Sequence, residues 1–209
     1  MRLFRIAAPI ALIAYAILVC AQESETQWDF PDFSATQAFQ TGRYEIPMKV
    51  YRYGSNVRAE MSSTMASLYT TASLKVYNMS IYPDGKRGCV VATEQQLMMT
   101  PSPLELLFGS KVQRTPEDSE VVEGHTCKVE KVVVTRSDGT TIESKVWEAQ
   151  DLKGVPVKII SHHPGGATFT AIYRHIVLGT PDKALVSPPD KCTPYEKMWQ
   201  VKENHVYDQ

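Results

Sequence analysis

The sequence predicts a mainly β (α+β) protein: a strongly curved antiparallel sheet of about ten strands, a barrel or half-barrel, with one short helix. Three observations lead there. Apolar residues recur with period two over most of the chain. Turn signals punctuate it at short intervals, as at Pro83-Asp84-Gly85-Lys86 and Ser137-Asp138-Gly139-Thr140. The longest strands are apolar on both faces, with Val132 and Val134 on one and Val129 and Val133 on the other. A large sheet that must hide two apolar faces curls and covers its open side with loops or helices.

The first 21 residues read as a signal peptide. Arg2 and Arg5 precede an uncharged run from Ile6 to Val19, and Val19-Cys20-Ala21 suits signal peptidase. That run is shorter than the roughly 20 residues a membrane span needs. Acylation of Cys20 is the competing reading, but a lipoprotein signal wants a very small residue where Val19 stands. The expectation is cleavage after Ala21 and a periplasmic or secreted protein with no later transmembrane span. An N-terminal extension then covers 22–32, the half-barrel domain 33–189 and a C-terminal tail 190–209.

Strands follow in order. Residues 33–40 form the first. Tyr44, Ile46, Met48 and Val50 alternate with polar neighbours in the second, and Val57, Ala59 and Met61 do so in the third after the turn Gly54-Ser55-Asn56. Residues 64–73 are ambiguous. Strands over 74–82 and 87–93 flank the Pro83 turn, where Pro fixes φ and Gly accepts a positive one. Residues 96–100 continue the pattern. Ser102-Pro103-Leu104-Glu105 is a capping box with Pro at the first helical position, so a helix of about two turns spans 102–109. Residues 113–120 read as a polar linker. Strands over 127–136, 141–149, 155–159 and 168–178 then form a four-stranded meander, with Ile142 and Val146 on one face of the second and Trp147 on the other. A short amphipathic segment is expected over 195–201.

Near-neutral charge, -1 over 209 residues, argues against a nucleic-acid-binding surface. The common linear signatures of hydrolases, zinc proteases, phosphate-binding loops and dithiol redox sites do not occur in the sequence. The expectation is no catalytic residue, no metal and no cofactor. His162-His163 alternate across a strand and read as a polar rim. His125 and Cys127, spaced i, i+2, lack nearby partners for a zinc site. Glu143, Glu148 and Asp151 read as solvated charges beside a hairpin. Asn78-Met79-Ser80 is a glycosylation sequon.

Three cysteines follow the signal segment, so at most one internal disulfide forms. A bridge from Cys127 to Cys192 would tie the tail to the sheet and is the preferred pairing, with Cys89 a small buried core residue. All three pairings remain open. Met98, Met99, Leu104 and Phe108 form the most apolar patch outside the strands; with Trp147 they are the candidate lining or lid of an apolar site.

The second half carries a resemblance. Gly124-His125-Thr126-Cys127, the run from Val146-Trp147-Glu148 through Asp151-Leu152-Lys153-Gly154 to Val157-Lys158, Leu178-Gly179-Thr180-Pro181-Asp182 and Pro188-Pro189 resemble exported bacterial proteins of the LolA-like superfamily, the outer-membrane lipoprotein carrier and its relatives. The likeness is greater to the uncharacterised exported members than to the carrier. It implies an unclosed antiparallel half-barrel lined with apolar side chains and lidded by helices. It also implies a periplasmic protein that shelters a lipid or acyl chain, or docks a lipidated or other envelope protein. The carrier starts with a helix where 22–32 here is short and holds Trp28, Phe30 and Pro31, and none of its lid residues transfers. Two further readings follow: an envelope interaction or stress-sensing module, and a hydrolase without a linear motif.

Overall fold

The computed structural model describes residues 30–70, 73, 75–93, 111–135, 139–163 and 166–197. They build one unclosed, curved sheet of 13 strands. Strands β1 (Phe33–Thr41), β2 (Tyr44–Tyr53), β3 (Asn56–Ser62), β4 (Met65–Thr70), β5 (Lys75–Ile81) and β6 (Arg87–Thr93) form one antiparallel meander. Strands β9 (His125–Thr135), β10 (Thr141–Ala149), β11 (Pro156–His162) and β12 (Thr168–Leu178) form a second. The two join edge to edge because β1 pairs antiparallel with β12, from Phe33 opposite Leu178 to Thr41 opposite Phe169. Strand β7 (Lys111–Pro116) extends the sheet beyond β9, and β8 (Glu120–Val122) pairs with the start of β9. At the far edge β13 (Thr193–Pro194) pairs parallel with β6.

The mainly β class and the curved, open sheet agree with the sequence reading. The turn at Pro83 is present with Gly85 at φ 81°, and the β9–β10 hairpin carries Gly139 at φ 83°; both need the backbone freedom that glycine has at positive φ. Three segments became strands that the pattern did not announce. The ambiguous 64–73 contains β4, and the polar 113–120 contributes to β7 and β8. Strand β7 has little apolar alternation of its own. It forms because it pairs with β9 along its whole length, and Pro116 is tolerated at its end on the sheet edge. The third is β13 in the tail. The expected helix over 102–109 and the strand over 96–100 lie outside the described residues, as do residues 1–29. Of the amphipathic segment over 195–201, a single 3-10 turn, Tyr195–Lys197, is described. Among the described residues no helix is long and apolar enough to cross a membrane.

Side chains alternate between two faces. The first face carries the larger core, in which Phe33, Ala35, Val50, Val57, Ala59, Val132, Val134, Val146, Ile159, Ala171 and Tyr173 pack together. The second face is covered in two places. Over β9–β11, Cys127, Val129, Trp147, Ala149 and Val157 form a smaller core. Over β3–β6, the C-terminal segment lies across the sheet: a 3-10 turn, Lys183–Val186, packs on β2 and β3. Val186 is buried there, and Asn56 donates to its carbonyl (2.9 Å).

A disulfide joins Cys89 to Cys192, with Cα atoms 4.8 Å apart, and Cys127 is a free, buried cysteine. The preferred pairing of Cys127 with Cys192 is therefore corrected. The parallel pairing of Thr193 with Val90 sets Cys192 beside Cys89 at one edge of the sheet. Cys127 sits on β9, next to the opposite edge. Cys89 is a core residue, as expected, but it is also the anchor of the tail.

Candidate binding face

The first face is apolar almost from edge to edge, and the strand register shows how. Val146 lies opposite Ile159, Ile159 opposite Ala171, and Ala171 opposite Phe39. On the far side of β1, Ala35 lies opposite Val50, Val50 opposite Ala59, and Val57 opposite Tyr69. Each of these residues occupies the alternate position of its strand, so the row follows from period-two patterning and register alone.

Three polar features interrupt the row. Ser144 and Ser161 face each other and satisfy one another, Oγ to Oγ at 2.9 Å. At the β7 side, Arg114 reaches Glu130 (2.5 Å) and Glu148, and Lys128 also pairs with Glu130. Glu130 is buried, so its charge is held by two cations rather than by water. Gln37 is different. It lies opposite Tyr173 and Met48, is 2% exposed, and neither of its amide atoms has a hydrogen-bond partner among the described residues. An unmet buried amide costs about 1–3 kcal/mol, so such groups normally find a partner. Burial also pushes the neighbouring Tyr173 phenol up, keeping it a neutral hydroxyl.

Toward one end the row opens to solvent. Phe39 stacks on Phe169 (centroids 5.7 Å), and His163 meets the Phe169 ring edge-on at 4.9 Å. Beyond them Tyr44 is 77% and Met65 50% exposed, Ile46 is exposed, and Met48 is half-buried. Met61 is exposed beside them, at the irregularity between β3 and β4. Tyr44, Ile46 and Met65 belong to the first face by register.

Among the lining residues expected from sequence, Met98, Met99, Leu104 and Phe108 lie outside the described residues. Trp147 lies on the second face. It is 3% exposed and packs with Cys127, Val129 and Val157. Its indole N–H donates to Glu120 Oε2 (2.9 Å), and the Lys145 and Lys158 ammoniums stand over its ring at 5.0 and 4.6 Å. That environment closes the ring off rather than presenting it to a ligand. Lys145 also bonds Glu117 and Glu120, so the Glu120 carboxyl is held below its ordinary range by the Trp147 and Lys145 donors.

The remaining candidates resolve into ordinary pairs. His162 bonds Thr168 (3.1 Å) while His163 packs on Phe169. His125 Nδ1 lies 2.8 Å from Asp151 Oδ2, and burial pushes the Cys127 thiol up. Glu143 pairs with Lys131 (2.8 Å) and Glu148 with Arg114. Asn78 accepts from Ser67 Oγ (2.7 Å). Among the described residues no three His, Cys, Asp or Glu side chains gather as a metal site would need. Gln37, Tyr44, Ile46 and Met65 are the residues that sequence reasoning passed over. Gln37 had a signal: it is the one amide in the alternating series Phe33, Ala35, Gln37, Phe39.

Compared with known proteins by sequence, the chain matches no family model and no curated protein. By structure it is similar to PNGF-II, at TM-score 0.45 and 8% identity over 85% of this chain and 35% of that one. It is also similar to a LolA superfamily protein from Nitrosomonas europaea, at TM-score 0.42 and 12% identity over 79% and 94%. A third is the Pseudomonas aeruginosa MucA/MucB complex, at 0.41 and 16% over 75% and 56%. The chain thus spans about a third of the PNGF-II length and just over half of the third match. The likeness to LolA-superfamily structures, in the family that the turn motifs resemble, is one of fold.

Proposed function

We propose that this is an exported, non-catalytic binding protein that shelters a lipid or acyl chain on the first face of its half-barrel. One observation carries the reading: the apolar row of the buried core continues without a break into the exposed Ile46, Met65 and Tyr44. A ligand chain laid along that row removes apolar surface from water, worth about 25 cal/mol per Å². Methionine suits a wall that must accept chains of varied shape. Gln37 supplies one amide within the apolar surface, suited to an ester or carboxyl oxygen. In this reading Met98, Met99 and the helix over 102–109, with Leu104 and Phe108, form the lid, and Trp147 backs the sheet from its other face.

Export accords with the Cys89–Cys192 bridge, since disulfides persist in oxidising compartments. The signal segment 1–21, cleavage after Ala21, the half-barrel over 33–189 and the tail over 190–209 belong to the same proposal. The test is native mass spectrometry, with lipid extraction, on protein purified from the envelope of its host. A stoichiometric acyl or phospholipid adduct that Ile46→Glu and Met65→Glu both abolish is the expected result. A bare polypeptide that takes up no added lipid would overturn the proposal and favour docking of a protein partner on the same apolar surface.

A further inference from the structure

A second cavity lies away from that face, between the hairpin end of β5–β6 and the C-terminal segment that crosses it. Its volume is about 500 Å³, within the range of small-molecule sites. Met79, Ile81 and Leu185 supply apolar wall, while Arg58, Arg87 and Lys191 set three cations against the single carboxylate of Asp190. Arg58 is held in place: Nε donates to Glu60 (2.9 Å) and Nη1 to the Leu185 carbonyl (3.2 Å). Its guanidinium is therefore preorganised along the floor, with Arg87 and Lys191 exposed at the mouth. Guanidinium and ammonium groups around an apolar wall match an oxyanion on a short apolar body.

We infer that this cavity binds a small organic anion, an oxyanion head carrying a short apolar body, and that the site exists only while the Cys89–Cys192 bridge is closed. Half of the wall, from Ala184 to Lys191, belongs to the C-terminal segment, and Cys89 itself lines the cavity. The segment is tied to the sheet by the bridge and two strand residues, Thr193 and Pro194. Opening the bridge removes the covalent tie, and the wall then leaves β5 and β6. This site stands independently of any ligand on the first face, because it is built on the other face of the sheet and on a different element.

The experiment is calorimetric titration of the oxidised full chain with octanoate, with octyl glucoside (an uncharged head on the same tail) and with inorganic phosphate. Octanoate is expected to bind one to one and more tightly than either control. Arg87→Gln with Lys191→Gln should weaken it about ten-fold, the loss of one charge-assisted contact, with circular dichroism unchanged. Reduction of the bridge, or Cys89→Ala with Cys192→Ala, should abolish it. The inference is overturned if octyl glucoside or phosphate binds as tightly, if the double Gln variant binds octanoate as well as the parent, or if the reduced protein retains the affinity.

Discussion

The β9–β12 and β1–β6 meanders are both antiparallel and both apolar on the first face, yet their second faces are covered by different means. Over β9–β11 the cover is local. Trp147, Val129 and Cys127 come from the meander itself, and β8, immediately before it in sequence, adds Val122 and the Glu120 that receives the indole N–H. Over β3–β6 the cover is remote. Leu68, fully buried, lies on a face crossed by a segment more than 100 residues further along the chain, held by a disulfide with a sequence separation of 103. Local cover costs little loop-closure entropy, whereas remote cover costs more and gains from a covalent tie.

The largest effect should come from breaking the local core. Trp147→Ala removes a large buried ring and is expected to cost about 3–5 kcal/mol in urea unfolding. Loss of the bridge in Cys89→Ala with Cys192→Ala should cost about 2–5 kcal/mol. Its signature should also be lopsided, with hydrogen exchange rising over β5, β6 and 183–194 and little changed over β9–β12. Equal loosening of both meanders would contradict the division between local and remote cover.

A smaller, pH-dependent effect should follow at β8. Glu120 and Glu123 are both held below the ordinary carboxyl range, the first by the Trp147 and Lys145 donors and the second by Arg174. A folded-state value lowered in this way contributes stability above the ordinary range, and that contribution is lost as pH falls through the lowered value. The docking of β8 should thus be intact at neutral pH and loosen only in acid. The Trp147 indole N–H resonance, assigned with Trp147→Phe, should shift as Glu120 protonates. A resonance unmoved down to pH 2 would count against the bond.

The difference between the meanders also explains what could be read in advance. Strands β9–β12 were legible because their Val-rich alternation and Asp-Gly and Gly-rich turns are local signals, and local signals fix local pairing. Strand β7 was not, because Lys111–Pro116 owes its extended form to β9 and to the ions Arg114 meets on Glu130 and Glu148. The bridge was misread for the same reason. Cysteine spacing says nothing about which sheet edge the tail returns to, and a two-residue parallel pairing decides it. On the first face, apolar periodicity was visible at Ile46 and Met48. That Tyr44, Ile46 and Met65 stay exposed while Val50 and Val57 are covered depends on β2 running past β3, which begins its register only at Lys49 opposite Glu60.

The two cysteines give the finest probe of the contrast, because Cys89 and Cys127 hold equivalent positions, on the second face of β6 and of β9. Cys89 meets the returning tail and is bonded, whereas Cys127 is 0% exposed within the local core, its thiol weakly bonded to the His125 carbonyl (3.4 Å). Burial pushes that thiol up, and the carboxylates of Asp151 and Glu120 push it the same way. Thiolate is the reactive form, so both accessibility and charge protect it. Peptide mapping after iodoacetamide treatment at pH 8 should find Cys127 unmodified in the native protein and fully modified in urea. In Trp147→Ala, where the local cover is thinned, labelling should accelerate; after opening of the Cys89–Cys192 bridge it should not. Rapid labelling of Cys127 on reduction alone would mean that the tail shields both halves of the sheet, and the two covers would then be one.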